Sequence, residues 1–374
     1  MATTASNRKS RRGRSRGVAT DLLIPRDRAQ EALREQARSF LSTDPVTAKA
    51  RAALASNEQL GAEDWAKLAE LEWLGILIGE AHGGAGGSMS DACVLLEEIG
   101  RTLLPAPFLG TAILAATALR GAPAMLGELA AGRLRATAAV ESDVVVTTDL
   151  VPRATGSAAA VVDAVGIDLI AIAARDASGE PMLVAARAQE GAEIELDRSI
   201  DPLRPSATVT LDAAPVTIVA TGAAAEATVA EVATLGAIGL AAELAGGASR
   251  CVEMTLDYAK SRTQFGQAIG SFQAVKHRCV DAFMSTQAAL AAVRHAARLA
   301  DAGSPDCAAA ASLARIEANR AIAEAASCAL QVHGGAGYLW DNDAHLYLRR
   351  GKGAERVLGR PWTHREQLAH IFGV

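Results

Sequence analysis

Residues 258–273 read YAKSRTQFGQAIGSFQ, and they separate two long stretches whose apolar residues recur every three or four positions, as in a helix. Gly266 and Gly270 break that periodicity, so the stretch predicts a turn between two helices. Arg262 and Phe265 lie three residues apart at the break. Two interpretations are open: a surface arginine and a core phenylalanine beside a helix cap, or an arginine whose planar fork of donors hydrogen-bonds a pyrophosphate.

A second glycine-rich stretch, QVHGGAGY at residues 331–338, ends the next helical part of the chain. Gly334 and Gly335 either cap a helix or let the backbone approach a bound nucleotide closely. The amide of Gln331 can hydrogen-bond a pyrophosphate or a ribose. Because no GxGxxG follows a strand and no Walker A lysine is present, the sequence does not predict a Rossmann or P-loop site.

Hydrophobic periodicity divides the 374-residue chain into three zones after a basic start. Residues 21–134 and 221–374 have helical periodicity, and the long helices of the second zone predict an antiparallel four-helix bundle. Residues 135–220 contain short valine-rich segments, which predict a small antiparallel β domain, a barrel or a sandwich. The expected fold class is therefore α+β, mainly helical, with Ser90 as the expected N-cap of one N-terminal helix.

Composition limits the function classes. Residues 1–20 are basic without an acidic residue, and we interpret them as a disordered tail, with a transit peptide or a nucleic-acid arm as alternatives. The net charge of −5 argues against general nucleic-acid binding. No apolar stretch runs uninterrupted for long enough to span a bilayer, so the sequence predicts no membrane span. Five widely spaced cysteines without zinc-site spacing predict buried free thiols, no metal site and a reducing, cytoplasmic location.

Taken in order, the two glycine-rich motifs resemble the acyl-CoA dehydrogenase family. WAKLAELEWLGILIGEAHGGAGGS at residues 65–88 is similar to the N-terminal helical domain of that family, and SIDPLRPSATVTLDAAPV at 199–216 to the end of its β domain. The resemblance implies a helical domain, a β domain and a four-helix bundle. It also implies an FAD that takes a hydride from the β-carbon of an acyl-CoA while a carboxylate takes the α-proton.

In the family, the RxxFG and QxHGG segments contact an FAD whose ring lies in a neighbouring subunit. The FAD contacts that the resemblance implies here are Arg262, Phe265, Gly266, Gln273, Gln331, Gly334 and Gly335.

The catalytic base that the resemblance implies is missing from both positions where the family carries it. The position before the glycine that follows QVHGG farther along the chain holds Leu358, and the position on the first bundle helix holds Gly236. Neither side chain can accept a proton. Glu243 and Glu355 are the weak alternatives for a relocated base. The family's flavin-ring segment, TExxxGSD followed by an aromatic-Ile-Thr, is also unmatched in ESDVVVTTDLVPRATGSAAAVVDAV.

We therefore expect the base-less subunit of an α2β2 acyl-CoA dehydrogenase, similar to those of actinobacterial steroid side-chain degradation. Its expected partners are a second acyl-CoA dehydrogenase subunit that supplies the carboxylate, an acyl-CoA substrate and an electron-transfer acceptor. Two alternatives remain open. One is a self-sufficient homo-oligomeric dehydrogenase with a relocated base, and the other is a non-catalytic acyl-CoA binder or scaffold.

Overall fold

A computed structural model describes residues 24–42, 46–56, 60–148 and 150–374. The predicted tail, residues 1–20, lies outside the described residues. The chain runs from a set of helices through a β barrel to a second set of long helices, which confirms the predicted α+β, mainly helical class.

The helices before the barrel pack around a largely apolar core. Their bounds are α1 (Arg28–Ser42), α2 (Val46–Ser56), α3 (Ala62–Glu70), α4 (Met89–Thr102), a π-helical segment (Leu109–Ala115) continued by α5 (Ala116–Ala118), and α6 (Pro123–Ala130).

A capping box starts α4. The Ser88 hydroxyl accepts a hydrogen bond from the Asp91 backbone N–H at 3.1 Å, and the Asp91 carboxylate accepts one from the Ser88 N–H at 3.0 Å. The prediction of Ser90 as the cap is therefore wrong. Ser90 is already helical, and its N–H donates to the carboxylate of Asp301 on a distant helix at 3.2 Å.

Seven strands form the middle of the described chain. They are β1 (Ala136–Ala139), β2 (Val145–Thr147), β3 (Arg153–Val162), β4 (Leu169–Asp176), β5 (Pro181–Arg187), β6 (Ala192–Leu196) and β7 (Ser206–Thr221). The strands β2, β3, β7, β5 and β4 pair in a ring, so the sheet closes into a barrel.

Two barrel pairings differ from the antiparallel arrangement that the sequence predicted. β1 and β2 each run parallel to β4, with Ala136 opposite Leu169 and Val145 opposite Arg175. The prediction of a purely antiparallel unit is wrong at these strands. The spacing of short strands indicates how many there are, but not which distant strand each one meets.

Long helices make up the C-terminal part. They are α7 (Gly222–Ser261), α8 (Gln273–Asp301), α9 (Cys307–His333), α10 (Ala344–Ala354) and α11 (Pro361–Phe372), and a small hairpin of β8 (Thr263–Gln264) and β9 (Gln267–Ala268) connects α7 to α8. Contrary to the sequence-based expectation, α7 is long and apolar enough to cross a membrane by length and composition alone. However, 72% of the 18-residue apolar stretch of α7 that meets this criterion is buried inside the protein, as in a core helix.

The helix α7 also joins the N-terminal helices to the bundle. Where α4 crosses it, a Cβ built on Gly100 would lie 1.9 Å from the Glu243 carbonyl oxygen, and one built on Gly246 would lie 1.9 Å from the Glu97 carbonyl oxygen. The two backbones therefore touch, and only glycine allows this approach.

Candidate functional site

The Arg262 motif forms a tight hairpin at the C-terminal end of α7. Its turn residues, Phe265 and Gly266, have φ angles of 52° and 77°. Positive φ at both central residues matches the hairpin turn that follows the twist of its strands. A bulky side chain rarely adopts this conformation, and such strain is often kept at functional sites. The Phe265 ring is 92% exposed, so it is not the core phenylalanine of the first interpretation.

The Gln331 motif lies beside this hairpin. The Tyr258 ring stacks on the His333 imidazole with centroids 4.2 Å apart, which joins the last turn of α7 to the last turn of α9. Gly334 ends α9 with a φ of 59°. A Cβ built on Gly334 or Gly335 would meet no atom within 4 Å, so the glycine pair borders open space.

Three polar side chains at these helix ends are exposed: Arg262, Gln273 and Gln331. Within the ranges that the structure describes, none of the three makes a side-chain hydrogen bond or an ion pair. Their donors are therefore free to bind a ligand. We call the site formed by Arg262, Phe265, Gly266, Gln273, Gln331, Gly334 and Gly335 the clamp.

The two positions at which the resemblance implied a base lie against each other. A Cβ built on Gly236 in α7 would lie 2.9 Å from Cδ1 of Leu358 and 2.5 Å from Cδ2 of Leu114. The space beside Gly236 is thus filled by two leucine side chains, which have no lone pair to accept a proton. We call the region around Gly236 and Leu358 the seam, because the barrel meets the helices there.

Two cavities border the seam, and Leu358 contributes to the wall of each. The larger, about 340 Å³, lies between α7, α9 and α11, and much of its wall consists of alanines. The smaller, about 90 Å³, lies between the barrel and residues 356–359. Apart from Glu141, the barrel wall of the smaller cavity is aliphatic: Ala138, Ala139, Val140, Ala159, Ala160, Val161 and Val162.

Two buried polar side chains hold the turn that carries Leu358. Arg315 in α9 donates to the carbonyl oxygens of Ala354 and of Val357, the latter at 3.2 Å. The His364 Nε2 donates to the Leu358 carbonyl oxygen at 3.0 Å. Leu358 itself has a φ of 52°, so these donors hold it in a left-handed conformation that leucine seldom adopts.

Both of these groups have perturbed protonation. Burial lowers the pKa of Arg315 to about 9. Burial, with a contribution from the Arg315 charge, also lowers the pKa of His364. Because Nε2 of His364 donates to a carbonyl, its Nδ1 carries no proton in the neutral ring, and this atom lies 3.3 Å from the Ser312 hydroxyl. From the sequence, His364 in WTHREQLA reads as part of a solvated C-terminal face, and this interpretation is wrong, since His364 is buried. Nothing in the residues around Arg315 indicates a buried arginine.

Glu243, one of the two alternative bases, lies in a buried ion cluster. It is 1% exposed and forms ion pairs with Arg204 and Arg350. Arg350 also pairs with Asp201 at 2.5 Å. Burial would lower the pKa of Arg350, but the carboxylates of Asp201 and Glu243 raise it. The cluster ties the segment before β7 to α7 and α10, so the Glu243 carboxylate is occupied in joining the barrel to the helices.

Glu355, the other alternative, ends α10 and pairs with Lys352 at 2.8 Å on a partly exposed surface. A different carboxylate reaches the seam: Glu141, at an exposed position, borders both cavities together with Leu358. Sequence reasoning did not single it out, because the segment around it lacks the expected motif.

The clamp and the seam lie at different places along one continuous helix. Gly236 and Arg262 are 26 positions apart (262 − 236), and α7 is helical from Gly222 to Ser261. At 1.5 Å of rise per residue, this separation is about 39 Å.

Both helical parts of the chain match known family models. Residues 27–124 match the family model for the acyl-CoA dehydrogenase N-terminal domain, and residues 227–371 match the model for the acyl-CoA dehydrogenase C-terminal domain. The chain is 34% identical over 338 residues to the acyl-CoA dehydrogenase IpdE2 of Mycobacterium tuberculosis. The aligned part covers 89% of this chain and 93% of that protein.

Two solved structures have the same fold over nearly the whole chain. A variant of the Tcur3481–Tcur3483 steroid ACAD aligns with a TM-score of 0.83 and 27% identity, covering 92% of this chain and 98% of that one. The ChsE4–ChsE5 complex from Mycobacterium tuberculosis aligns with a TM-score of 0.84 and 23% identity, covering 93% and 98%.

Proposed function

Because the chain belongs to the acyl-CoA dehydrogenase family, we propose that it is the base-less subunit of a two-chain, FAD-dependent dehydrogenase. In this assembly the clamp contacts the pyrophosphate and adenosine of an FAD. An unlike acyl-CoA dehydrogenase chain holds the flavin ring and supplies the carboxylate that takes the α-proton of the acyl-CoA.

The separation between clamp and seam supports the two-chain part of this proposal, and the leucine and glycine at the two base positions support an unlike partner. The distance along α7 is about 39 Å, whereas only a ribityl chain separates the ring of an FAD from its pyrophosphate. An FAD whose pyrophosphate lies at the clamp therefore has its ring far from the Leu358 seam of the same chain. The ring needs a binding surface on a second chain.

The clamp fits the phosphate end of such a cofactor. Arg262 is exposed and has no ion-pair partner among the described residues, and its guanidinium offers directed, charge-assisted donors. Gly334 and Gly335 face open space into which a phosphate can come close to the backbone. Phe265 offers an exposed ring on which a flat group such as adenine can stack.

The seam does not fit a flavin ring. The ring carries hydrogen-bonding donors and acceptors along its pyrimidine edge, whereas the barrel wall of the smaller cavity consists of alanine and valine side chains apart from Glu141, a carboxylate that offers no donor. Burial of polar atoms without partners is costly. The same seam has leucine where a proton acceptor is needed, so this chain lacks both parts of the reaction centre at its own seam.

FAD, when bound, accepts the hydride that leaves the β-carbon of the substrate. The part of this chain is to bind and orient. Arg262 neutralises phosphate charge, Gln273 and Gln331 supply amide donors, and the Phe265–Gly266 turn keeps the arginine at the helix end. The proton of the substrate is taken by the other chain.

The partner must differ from this chain. In a pair of identical copies, neither copy would bring a carboxylate to the position of Leu358 or Gly236. The likeness to a steroid ACAD and to the two-chain ChsE4–ChsE5 complex supports an unlike partner and a steroid-type acyl-CoA as the substrate class.

The rival is a self-sufficient enzyme with a relocated base, and Glu141 is the carboxylate that favours it, because it borders both cavities at the seam. Replacing Glu141 by Gln separates the two functions. We expect unchanged flavin reduction in the assembled enzyme, whereas loss of reduction with normal FAD content would support the rival.

The decisive experiment is to purify the chain alone and together with a second acyl-CoA dehydrogenase chain that keeps the glutamate before glycine. We expect one FAD per pair of chains and acyl-CoA oxidation only in the pair. Full FAD occupancy and activity in the lone chain would refute the proposal.

A matched pair of variants tests the clamp. Arg262→Ala removes charge-assisted hydrogen bonds worth about 1.5–3 kcal/mol, so FAD affinity of the pair should fall by roughly 10- to 150-fold. Lys260→Ala removes an exposed charge from the same helix end and serves as the control. Equal losses in both variants would mean that general charge, and not the Arg262 contact, retains the cofactor.

A further inference from the structure

Two cysteines face each other between α8 and α9. Cys279 lies in α8 and Cys328 in α9, and both are free thiols. The Cys328 thiol lies 3.6 Å from the carbonyl oxygen of Arg278, the residue bonded to Cys279. Each thiol also perturbs the protonation of the other, as neighbouring thiols do. The proposed function makes no use of this pair.

The two thiols are not equivalent. The neighbouring Cys328 thiol lowers the pKa of Cys279 to about 7, while the neighbouring Cys279 thiol raises the pKa of Cys328. Burial raises the pKa of Cys93 and of Cys251. Since the thiolate is the reactive form of cysteine, Cys279 is the nucleophile of the pair and the other two buried thiols are the unreactive comparison.

The surroundings limit what can react. Cys279 is 7% exposed and Cys328 is 3% exposed, so only a small reagent reaches them without local opening of the helices. Hydrogen peroxide is such a reagent, and it oxidises thiolates in preference to thiols.

We propose that Cys279 and Cys328 form a peroxide-sensitive dithiol that closes to a disulfide. The Cys279 sulfur attacks one oxygen of hydrogen peroxide and the O–O bond breaks. Cys279 becomes a sulfenic acid, and the hydroxide that leaves takes up a proton to give water. The Cys328 sulfur then attacks the Cys279 sulfur, an S–S bond forms, and the sulfenic oxygen leaves as a second water with the Cys328 proton. Two thiols are oxidised and one peroxide is reduced to two waters.

The disulfide lies directly below the clamp. Cys328 is one helical turn before Gln331 in α9, and Cys279 follows Gln273 in the first turns of α8. Closure draws the two sulfurs from neighbouring positions on α8 and α9 to covalent distance, which shifts the helix ends that carry Gln273 and Gln331. Binding sites tolerate displacements of only about 0.5 Å, so oxidation should weaken FAD binding by the assembled enzyme. This last consequence rests on the proposed function, whereas the disulfide itself does not.

The test treats the full chain, with its partner, with hydrogen peroxide and follows intact mass and peptide maps. We expect wild-type protein to lose two hydrogen atoms and to yield a peptide pair linked through Cys279 and Cys328. Cys328→Ser should instead accumulate a sulfenic acid at Cys279 that a dimedone probe traps. Cys279→Ser should form neither product, and Cys251→Ser should behave as wild type.

Several results would overturn the dithiol. These are first oxidation at the half-buried Cys307, no linked peptide at peroxide levels that oxidise Cys279, or trapping of sulfenic acid at Cys328 in the Cys279→Ser variant. Any of them shows that the pair does not act with these roles, whether or not FAD is bound.

FAD retention is measured separately on the oxidised and reduced pair of chains. We expect the disulfide form to release FAD several-fold faster, with recovery on reduction. Equal release rates with the disulfide fully formed would reject the link to the clamp. Absence of FAD from the reduced pair would reject the proposed function and leave the mass result unaffected.

Discussion

Replacing Glu243 by Gln tests whether the buried carboxylate joins the barrel to the helices or acts as a relocated base. The side chain keeps its shape and loses its charge. Arg350 retains Asp201 at 2.5 Å, but the nearest other carboxylate to Arg204 is Asp163, at 3.9 Å. The substitution therefore leaves Arg204 with only the more distant Asp163 as its counter-charge, at a position that is 6% exposed.

Removing one partner from a buried ion pair costs about 3–5 kcal/mol, because the remaining charge stays desolvated. Whole proteins are stable by only about 5–15 kcal/mol, so the loss is a large fraction of the total. With an m-value of about 3 kcal/mol per molar urea, the unfolding midpoint should fall by roughly 1–1.7 M.

The assay is urea unfolding followed by circular dichroism, together with flavin reduction by acyl-CoA in the assembled enzyme below the transition. Glu355→Gln is the matched control, because it removes a surface pair with Lys352 worth about 0–1 kcal/mol. We expect Glu243→Gln to lose stability and to keep flavin reduction. An unchanged urea midpoint combined with lost flavin reduction would show that Glu243 does not hold the barrel to the helices and would identify it as a base.

Three further outcomes are expected. Gly246→Ala should destabilise the chain by about 3 kcal/mol in urea unfolding, the upper end of ordinary overpacking, because its Cβ would lie 1.9 Å from the Glu97 carbonyl oxygen; a smaller loss than that of Ala248→Leu would contradict the close crossing. Gly236→Ala should cost about 1–3 kcal/mol, and adding Leu358→Ala should recover part of it, since the new methyl meets the Leu358 side chain; additive losses would argue against that contact. The lowered pKa of His364 means that the unfolded state binds a proton first, so the free energy of unfolding should fall below about pH 6.5 by at most about 1.4 kcal/mol per pH unit, and His364→Asn, but not the exposed His370→Asn, should remove that slope.

Local signals were sufficient for part of the fold and the site. The glycines after Arg262 predicted a turn between two helices, and the structure places a two-residue turn with positive φ at Phe265 and Gly266 there. The strands β8 and β9 on either side of it were not predicted. Helical periodicity predicted the long helices, because the 3.6-residue spacing of apolar side chains can be recognised within a short stretch of sequence. The predicted N-cap of α4, Ser90, was two residues too late in the sequence, because Ser88 forms the capping box with Asp91.

Features that depend on distant parts of the chain could not be predicted. Gly236 and Leu358 each lack a proton acceptor by sequence alone, but only the fold shows that their side-chain spaces coincide. Arg315 gives no local indication of burial, and besides Asn319 on the same helix its acceptors are carbonyl groups of α10 and of the turn after it. The parallel pairing of β1 and β2 with β4 is likewise decided by the closure of the barrel and not by any strand pattern.

The glycine crossing of α4 and α7 also bears on how the chain folds during synthesis. Gly100 and Gly246 are 146 positions apart (246 − 100), and Tyr347 in α10 donates to the carbonyl oxygen of Arg101, 246 positions away in sequence. Contacts of such high sequence separation form late, because a long loop must close first. The apolar face of α4 therefore stays exposed on the nascent chain until α7 has been synthesised. We expect the nascent chain to need a chaperone until that point.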